Sequence, residues 1–370
     1  MCTITEIKYF YADQKVLPSK YNHLIMKMLN YFYLSLVLLI TSGLSLNGQA
    51  AKIKLVRFDD KQKVDVMANG KLFTSYRYPS DLEKPFLFPV YAPNGSVLTR
   101  GYPLEPRKGE RVDHPHHIGL WFNHGNVNGL DFWNNSSAIP AGKKDAYGHI
   151  VVKQIVKAKK NVLEVLSDWN DNKGNTLLAE NTKYIFSGDN NSRTVDHIST
   201  LTAANGTVVF TDNKEGMFAI RVDRAFEMPS NESLIFTDDK GNPTTVKATD
   251  NTGVTGMYTS SSGLKGDKVW SSRNDWVMLS GTKDNVLSTM AVFDHPKNTG
   301  YPAHSHARGY GLFSTNNLGA SSYVPEHERI VVTLQKGESI TLRHRFYVQS
   351  GAELTPEKAN QIFTEFSKLY

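Results

Sequence analysis

The chain has 370 residues and a formal net charge of +6. Residues 1–50 carry four Lys/Arg and two Asp/Glu, so the remaining residues carry +4, which is a mild excess. The charges are interspersed, with no Lys/Arg run and no basic amphipathic helix, which argues against nucleic acid or a membrane surface as the main partner.

The N-terminal segment has the order typical of a secretory signal peptide. In residues 26–50, Lys27 precedes an apolar run from Tyr31 to Ile40, and small and polar residues follow as far as Ala50. That run is too short to span a bilayer comfortably, so stable membrane insertion is not expected after cleavage. We predict a start at Met26 or Met28 and regard residues 1–25 as a misassigned upstream extension. The alternative is an uncleaved N-terminal anchor.

Cysteine usage favours a periplasmic or secreted bacterial protein. Cys2 is the only cysteine, so a chain starting near Ala51 would have none. An exported protein without disulfides must be stabilised by its hydrophobic core, and about 320 residues are enough to supply one. We therefore predict a single domain over residues 51–370.

Short segments with strand character dominate after residue 51. Most alternate apolar with polar residues and are bounded by Gly, Asn, Asp or Pro, a pattern typical of a large antiparallel β-sandwich. The predicted strands are IKLVRF, KVDVMA, KLFTSYRY, FLFPVYA, HIVVKQIVKA, NVLEVLSDW, NTKYIFS, RTVDHISTLTA, GTVVFTD, GMFAIRV, WVMLSG, VLSTMAVFD, GYGLFST, RIVVTLQ and SITLRHRFYV.

The segment VDHPHHIGLWFNHGNVNGLDFW, residues 112–133, holds four of the twelve histidines and two of the five tryptophans. Imidazoles donate, accept or bind metal near neutral pH, and indole faces are platforms for sugar rings. If a strand covers residues 116–124, alternation places Ile118, Leu120 and Phe122 on the core face. The solvent-side face then carries His117, Gly119, Trp121 and Asn123, although Trp121 could instead be buried in a second layer.

The other histidines of this segment lie at or beyond the strand ends, where a cleft mouth could form. They are His114, His116 and His124. A metal site is one alternative, because imidazole suits Zn, Cu, Ni or Fe. Adjacent strand residues point to opposite faces, however, and no zincin motif or cysteine pair is present, so no cofactor is predicted. Asp131 could orient an imidazole, bind hydroxyls or only cap its turn.

Three further segments could complement such a cleft. KPFLFPVYAPNGSVLTRGYP supplies Lys84, Tyr91 and Arg100, and FDHPKNTGYPAHSHARGYGLF supplies His295, His304, His306 and Arg308. In NKEGMFAIRV, alternation places Glu215, Met217, Ala219 and Arg221 on one face. Glu215 and Arg221 are either a structural ion pair or an acid/base group with its charge partner.

Two segments after residue 236 depart from the strand pattern. Residues 237–276 are rich in Thr, Ser, Gly and Asp, and we predict a long excursion containing a loop that lines the site. Residues 355–370 are predicted to be a helix, with Thr355 as N-cap, Pro356 at the first helical position and Ile362, Phe363 and Phe366 as an apolar stripe. This helix is expected to pack on the edge of the sandwich.

The ordered set KPFLFPVYAPNG, TRGYP, DHPHHIGLWFNHGNVNGLDFW, KEGMFAIRV, FDHP and HARGYGLF resembles the PmoA-like family of exported bacterial proteins, labelled "methane oxygenase". The resemblance covers roughly residues 55–350. It implies a periplasmic protein with a galactose-mutarotase-like supersandwich or a related β-sandwich. It does not imply a polytopic oxygenase subunit, because the chain after residue 50 has no apolar run of about twenty residues.

The chain departs from the family pattern where a Trp-His-x-Arg sequence is expected. It reads Ala303-His304-Ser305-His306-Ala307-Arg308, so either His304 or His306 could occupy the site.

The resulting hypothesis is a periplasmic carbohydrate-active enzyme, a glycoside hydrolase, lyase or epimerase, acting on a carbohydrate or other small polar substrate. Proton transfer at neutral pH suits His and Glu, and Trp can stack on a pyranose. The predicted catalytic residues are His116, His117, His124, Glu215 and His304. The predicted substrate-binding residues are Tyr91, Arg100, Trp121, Asn123, Asp131, Trp133, Arg221 and Arg308.

Two alternatives to that hypothesis remain open at this point. One is a non-catalytic glycan-binding module that uses the same aromatic rings and amides. The other is a metal-dependent oxidoreductase, in line with the family label.

Overall fold

The computed structural model describes residues 49–232, 234–246 and 250–370. The predicted upstream extension, residues 1–25, and all but the last two residues of the predicted signal peptide, residues 26–50, lie outside this part. Within it, each helix is too short or too polar to cross a lipid bilayer.

The described residues form twenty strands, four short 3-10 helices and one α-helix. The strands are β1 (Ile53–Phe58), β2 (Lys63–Ala68), β3 (Lys71–Arg77), β4 (Phe86–Val90), β5 (Leu120–His124), β6 (His149–Lys159), β7 (Val162–Asn170), β8 (Thr176–Gly188), β9 (Ser192–Ala203), β10 (Val208–Thr211), β11 (Gly216–Arg221), β12 (Leu234–Thr237), β13 (Pro243–Val246), β14 (Met257–Ser260), β15 (Trp276–Lys283), β16 (Val286–Asp294), β17 (His304–Arg308), β18 (Leu312–Asn316), β19 (Val331–Leu334) and β20 (Ser339–Ser350). The 3-10 helices are Asp59–Lys61, Ala141–Ala146, Arg224–Phe226 and Gly266–Val269, and the α-helix, α1, is Pro356–Phe366.

Two eight-stranded antiparallel sheets hold most of these strands. The first sheet has the order β1-β2-β3-β4-β5-β11-β18-β17, and the second has the order β14-β15-β16-β20-β9-β8-β7-β6. Two small antiparallel pairs, β10-β19 and β12-β13, complete the fold. The predicted all-β antiparallel sandwich is confirmed, and each predicted strand segment overlaps an observed strand.

The main hydrophobic core lies between the inner faces of the two sheets. The first sheet contributes Phe73, Phe122 and Phe218, and the second contributes Trp169 and Phe346, each at most 6% exposed. Inward apolar residues alternate with outward ones along β2 and β7, as expected for strands with one buried face.

Helix α1 starts as predicted, because the Thr355 side chain accepts from the Lys358 N–H and Pro356 occupies the first turn. It ends at Phe366, four residues earlier than the predicted limit. It packs on the outer face of the second sheet against Trp276 and Phe293, so the predicted edge position is wrong. The stripe of Ala359, Ile362 and Phe366 is wide enough to cover that face.

The predicted excursion, residues 237–276, is more regular than expected. It includes β13, β14 and a 3-10 helix, Gly266–Val269, in its described part. These elements are short and Thr- or Ser-rich, so the pattern of the sequence did not reveal them.

Candidate functional site

One row of side chains crosses four strands on the outer face of the first sheet. Trp121 of β5 pairs with Ala219 of β11, Ala219 pairs with Ser314 of β18, and Ser314 pairs with His306 of β17. Directly paired residues of antiparallel strands present their side chains on the same face. The register therefore brings three distant segments of the sequence together on this outer face.

A second row on the same face joins the two predicted arginines. Arg221 pairs with Leu312, and Leu312 pairs with Arg308. Ala219 and Arg221 share the outer face, as alternation predicts. Met217 packs instead in the main core, so the predicted common face does not extend back to it.

Strand β5 begins later than predicted, because Gly119 interrupts the extended backbone. Gly119 has a φ of +62°, and a Cβ at this position would lie 2.3 Å from the Leu87 carbonyl oxygen. His116 and His117 consequently belong to the turn before the strand. Ile118 packs in the outer apolar cluster with Trp121, which corrects its predicted place in the core.

We expect Gly119→Ala to lower the free energy of unfolding by about 3 kcal/mol, because both the positive φ and the close approach to Leu87 disfavour a side chain. Gly129→Ala is the matched control, since Gly129 also has a positive φ, +82°, but no atom within 4 Å of the added Cβ. Urea unfolding of both variants separates the cost of the positive φ from the cost of the contact with Leu87. Equal losses would show that the contact with Leu87 contributes nothing.

The outer face carrying these residues is covered, not solvent-side as predicted. His117 and Trp121 are 2% exposed, and Trp133 is 1% exposed. The two indoles contact each other with ring centroids 5.2 Å apart. The Lys84 ammonium lies 5.3 Å from the centre of the Trp121 ring and donates to the His116 carbonyl at 2.7 Å.

Burial lowers the pKa of Lys84 to about 7, although the nearby charges of Asp131 and Glu83 oppose this shift. A lysine on a protein surface keeps its proton at neutral pH, whereas the buried Lys84 loses it in this range. A pKa lowered in this way is one of the features that indicate a functional site.

A carboxylate held by two arginines lies at the edge of this face. Asp113 Oδ1 accepts from Arg100 Nη1 at 2.5 Å and from Arg221 Nη2 at 2.7 Å. Both arginine side chains are buried, whereas that of Asp113 is 26% exposed. Burial alone would raise the pKa of Asp113, but the hydrogen bond from His114 and the charges of both arginines outweigh it, so this pKa lies well below its usual range.

His117 is neutral, and its tautomer follows from its partner. Its Nδ1 lies 3.2 Å from Arg221 Nη1, and a guanidinium can only donate, so Nδ1 accepts and Nε2 carries the hydrogen. That Nε2 has no hydrogen-bond partner among the described residues. Burial, then the neighbouring His116 and Arg221, hold the pKa of His117 well below its usual value. His117 is therefore suited to donate a hydrogen bond and not to exchange protons near pH 7.

His116 is also unsuited to the proton transfer that was predicted for it. Its ring centroid lies 4.3 Å from that of His117, and its side chain is almost fully buried. Burial and the Lys84 charge lower the pKa of His116 far below neutrality.

His114, which the sequence placed only near a cleft mouth, is the exposed member of this group. Its ring is stacked between His117, at 4.8 Å, and Tyr310, at 5.1 Å. Its Nδ1 lies 3.4 Å from Asp113 Oδ2, and its side chain is 40% exposed. It has a φ of +41°, a conformation that costs energy for a residue other than glycine and often accompanies function.

Tyr310 contacts both His114 and two arginines, Arg221 and Arg308. The guanidinium of Arg221 lies 4.8 Å from its ring centre, and that of Arg308 lies 5.7 Å from it. Burial raises the pKa of Tyr310, while the two arginine charges lower it and those of Glu215 and Asp113 raise it further. The charges of Arg221, Arg308, Glu215 and Asp113 therefore all act on the phenol of Tyr310.

The alternatives His304 and His306 are distinguished by their neighbours. His306 stacks 6.4 Å from Trp133, and its Nδ1 lies 3.7 Å from Glu215 Oε2 without a hydrogen bond. Burial, then the charges of Lys214 and Arg308, lower the pKa of His306 to about 3. Of the two histidines, His306 is the one that lies beside Trp133 and Glu215.

His304 lies farther out on the same strand. It stacks on Tyr323 at 5.0 Å, and its Nδ1 lies 2.7 Å from the Ser271 carbonyl oxygen. Tyr323 separates it from the centre of the site, because His306 contacts the edge of the same phenol.

Several predicted site residues have structural contacts instead. His124 faces the core beside Phe210, and its Nε2 lies 2.9 Å from the Thr211 carbonyl oxygen, so its predicted catalytic role is not supported by its position. Asn123 donates to the Phe132 carbonyl at 2.6 Å. Asp131 accepts from the Trp133 and Asn134 N–H groups, which caps the turn.

Tyr91 also lies apart from the site. It begins a hairpin in which Tyr91 bridges to Val97, and Ser96 in that hairpin donates to Asp284 on the far side of the sandwich. Arg100 does reach the site, but as a partner of Asp113 and of backbone carbonyls and not as an open binding group.

A cavity of about 420 Å³ opens next to Tyr310. Its walls come from the β17–β18 turn, the segment after Phe226 and the 3-10 helix Gly266–Val269. The lining residues include Arg111, Met228, Asp267, Trp270, Arg308 and Tyr310. Asp267 and Trp270 of the predicted excursion line this cavity, and its role in a functional site stays a prediction.

Four residues of this region were not predicted from the sequence to belong to the site: Asp113, Tyr310, Trp270 and Arg111. Asp113 and Tyr310 lie next to named histidines and arginines in the sequence, so proximity to those motifs was an available signal. Arg111 and Trp270 had none, because only the packing of distant loops brings them to the cavity. In residues 49–232, 234–246 and 250–370, no three His, Cys, Asp or Glu side chains are placed to share one metal ion.

Comparison with known proteins identifies a family and several distant structures. The profile of DUF6807, described as a family of unknown function, matches residues 63–364. No curated protein matches the chain. The resemblance to the PmoA-like proteins stays a prediction.

Three solved structures that are similar to this chain show how distant the similarity is. The galactosidase domain of alpha-galactosidase-sucrose kinase has 8% identity and a TM-score of 0.34, covering 81% of this chain and 42% of that one, so this chain spans less than half of its length. A putative aldose 1-epimerase from Escherichia coli K12 has 10% identity and a TM-score of 0.28, covering 81% and 99%. A galactose mutarotase related enzyme from Lactobacillus acidophilus has 8% identity and a TM-score of 0.28, covering 81% and 98%.

Proposed function

The chain belongs to DUF6807, a family of unknown function, and we propose that it is a carbohydrate-active enzyme working by acid–base catalysis at the outer face of the first sheet. The observation that carries this proposal is the pairing of exposed His114 with Asp113, a carboxylate held by two buried arginines, beside an aromatic-lined cavity. Export to the periplasm remains part of the proposal.

Asp113 and His114 form the proton-transfer unit. Asp113 lies beside His114 Nδ1 and favours the tautomer with the hydrogen on that nitrogen, which leaves Nε2 as the base. Arg100 and Arg221 keep Asp113 ionised, because they lower its pKa. The carboxylate also stabilises the imidazolium that forms when His114 takes a proton.

Glu215 supplies the second acid–base group. Its side chain is 15% exposed, pairs with Lys214 and lies 3.7 Å from His306. The neutral His306 lies beside Glu215, and its buried Nδ1 has no hydrogen-bond partner among the described residues. Two proton-transfer groups near one phenol, that of Tyr310, are what ring opening, epimerisation or glycosidic cleavage needs.

The cavity beside Tyr310 is the proposed substrate site. Its volume of about 420 Å³ lies within the range of small-molecule sites. Trp270 and Tyr310 offer ring faces of the kind that bind the apolar side of a pyranose, and Ser230 and Asp267 offer polar groups for hydroxyls. His114 lies at its border through its stacking on Tyr310.

We expect His114→Gln to lower turnover by about 10²- to 10⁴-fold, because it removes the exposed proton-transfer group and retains polarity. Turnover is measured by mass spectrometry on the glycan that the wild type converts, found by screening pooled plant and host glycans. His149→Gln is the matched control, since His149 lies on β6 in the second sheet.

Unchanged turnover in His114→Gln would show that the assignment is wrong. Binding of a glycan by the wild type without any product, measured by calorimetry, would replace the proposal with the glycan-binding module.

A further inference from the structure

Arg111 has hydrogen-bonding capacity that the protein itself leaves unused. Its side chain is 4% exposed, and its Nε donates to Glu227 Oε2 at 2.6 Å. Its two terminal nitrogens make no hydrogen bond to the described residues. Because Arg111 lines the cavity beside Tyr310, these donors are reached through that cavity.

The same cavity is lined by a second guanidinium, that of Arg308. Arg308 is exposed and lies between two aromatic rings, 5.6 Å from the centre of Trp270 and 5.7 Å from that of Tyr310. Stacking on two rings holds a guanidinium in one orientation and leaves its edge free for an anion. Trp270 adds an indole N–H that is buried without a partner among the described residues.

We infer that this cavity binds the carboxylate of an acidic sugar, a uronic acid residue. Guanidinium groups bind carboxylates with two parallel hydrogen bonds, and Arg111 and Arg308 supply such donors in the lining of one cavity. The ring faces of Trp270 and Tyr310 suit a pyranose, which a simple inorganic anion does not possess. Asp267 also lines the cavity and can accept hydrogen bonds from sugar hydroxyls.

This inference rests on the proposed function, because it names the substrate class of that site. It requires no catalytic step, so binding alone tests it. Turnover and the His114→Gln variant test the proposed function separately.

The experiment measures binding of glucuronic acid and galacturonic acid, with glucose, galactose and inorganic sulfate as comparison probes, by calorimetry on the full chain. The wild type should bind a uronic acid at least about tenfold more tightly than its neutral sugar or sulfate, corresponding to about 1.4 kcal/mol. Arg308→Gln should weaken uronic acid binding about tenfold and leave neutral sugars unchanged. Arg329→Gln, an exposed arginine elsewhere, is the control and should change nothing.

Trp270→Ala should weaken acidic and neutral sugars alike, because it removes a ring face and not a charge. Equal affinity for uronic acids and neutral sugars in the wild type would overturn the inference, as would unchanged uronic acid binding in Arg308→Gln. Sulfate binding as tight as that of the uronic acids would reduce the site to one for a simple anion and would also overturn it.

Discussion

Replacing Asp113 with asparagine should lower the free energy of unfolding by about 3 kcal/mol. Arg100 and Arg221 are at most 1% exposed, and both donate to the same carboxylate oxygen. Without the negative charge, two buried guanidinium groups are left facing each other with little compensation. Urea unfolding near neutral pH measures the loss.

Asp239→Asn is the control for this prediction, because Asp239 pairs with Lys108 at the surface and its loss should change stability little. The folded pKa of Asp113 is depressed, so its contribution is present above the unfolded value of about 4 and is lost as the pH falls through the folded value. An unfolding free energy for Asp113→Asn equal to that of the wild type would contradict the role of the carboxylate in holding the two arginines.

Asp113→Asn should also lower turnover and change its dependence on pH, because asparagine cannot stabilise an imidazolium on His114. Asp113 acts through His114 and is therefore a positioning residue. A purely structural role would lower the amount of folded enzyme without changing the pH profile.

Acid should unfold this protein more readily than most. Burial depresses the folded pKa of eight histidines below the unfolded value of about 6.5. The shift is large for six of them, which are His116, His117, His124, His197, His306 and His344. Between the two values the unfolded chain binds protons that the folded chain does not, so stability falls as the pH falls.

Each such histidine costs up to about 2 kcal/mol between about pH 6.5 and pH 5. The loss should therefore exceed several kcal/mol by about pH 5, as measured by urea unfolding at a series of pH values. A stability that stays constant across this window would contradict the burial of these imidazoles.

Substitution of His197 measures how much a single buried histidine contributes to the loss of stability in acid. Both of its ring nitrogens lack a partner among the described residues, and it packs among Phe122, Tyr184 and Phe218. Burial lowers its pKa to about 3. His197→Met should preserve stability near pH 7, because methionine adapts to apolar gaps, and should raise it relative to the wild type by up to about 2 kcal/mol near pH 5.

The control is His149→Gln, which removes a half-buried histidine of the second sheet. Its unfolding free energy gives the baseline for the loss of a histidine that is not fully buried. The same acid slope in His197→Met and in the wild type would show that His197 takes up protons in the folded protein.

The layered architecture was predictable from the sequence because its signals are local. Alternation along a strand reports which side chains share a face, and it placed Trp121 and Arg221 away from the main core. The cap formed by Thr355 and Pro356 likewise marked the start of α1. Both features depend on neighbours within a few residues, so no tertiary information was needed.

Alternation could not show what lies over a face, since a face can be covered by a distant loop as easily as by water. The prediction of an open histidine face was wrong for this reason: Trp133 and Lys84 cover it. The direction of the side chains decided that His306, and not His124, approaches Glu215, because His124 faces the core although it pairs with Gly216.

The sequence by itself thus determined the sandwich, the terminal helix and the three segments rich in imidazole, carboxylate and guanidinium. Only the tertiary structure decided that Asp113 is shared by two arginines and that Arg111 and Arg308 face one cavity. The physical reason is that charge pairs and cavities depend on the distances between segments that are up to about two hundred residues apart in the sequence. Strand register and loop packing set these distances, and the local sequence pattern does not report them.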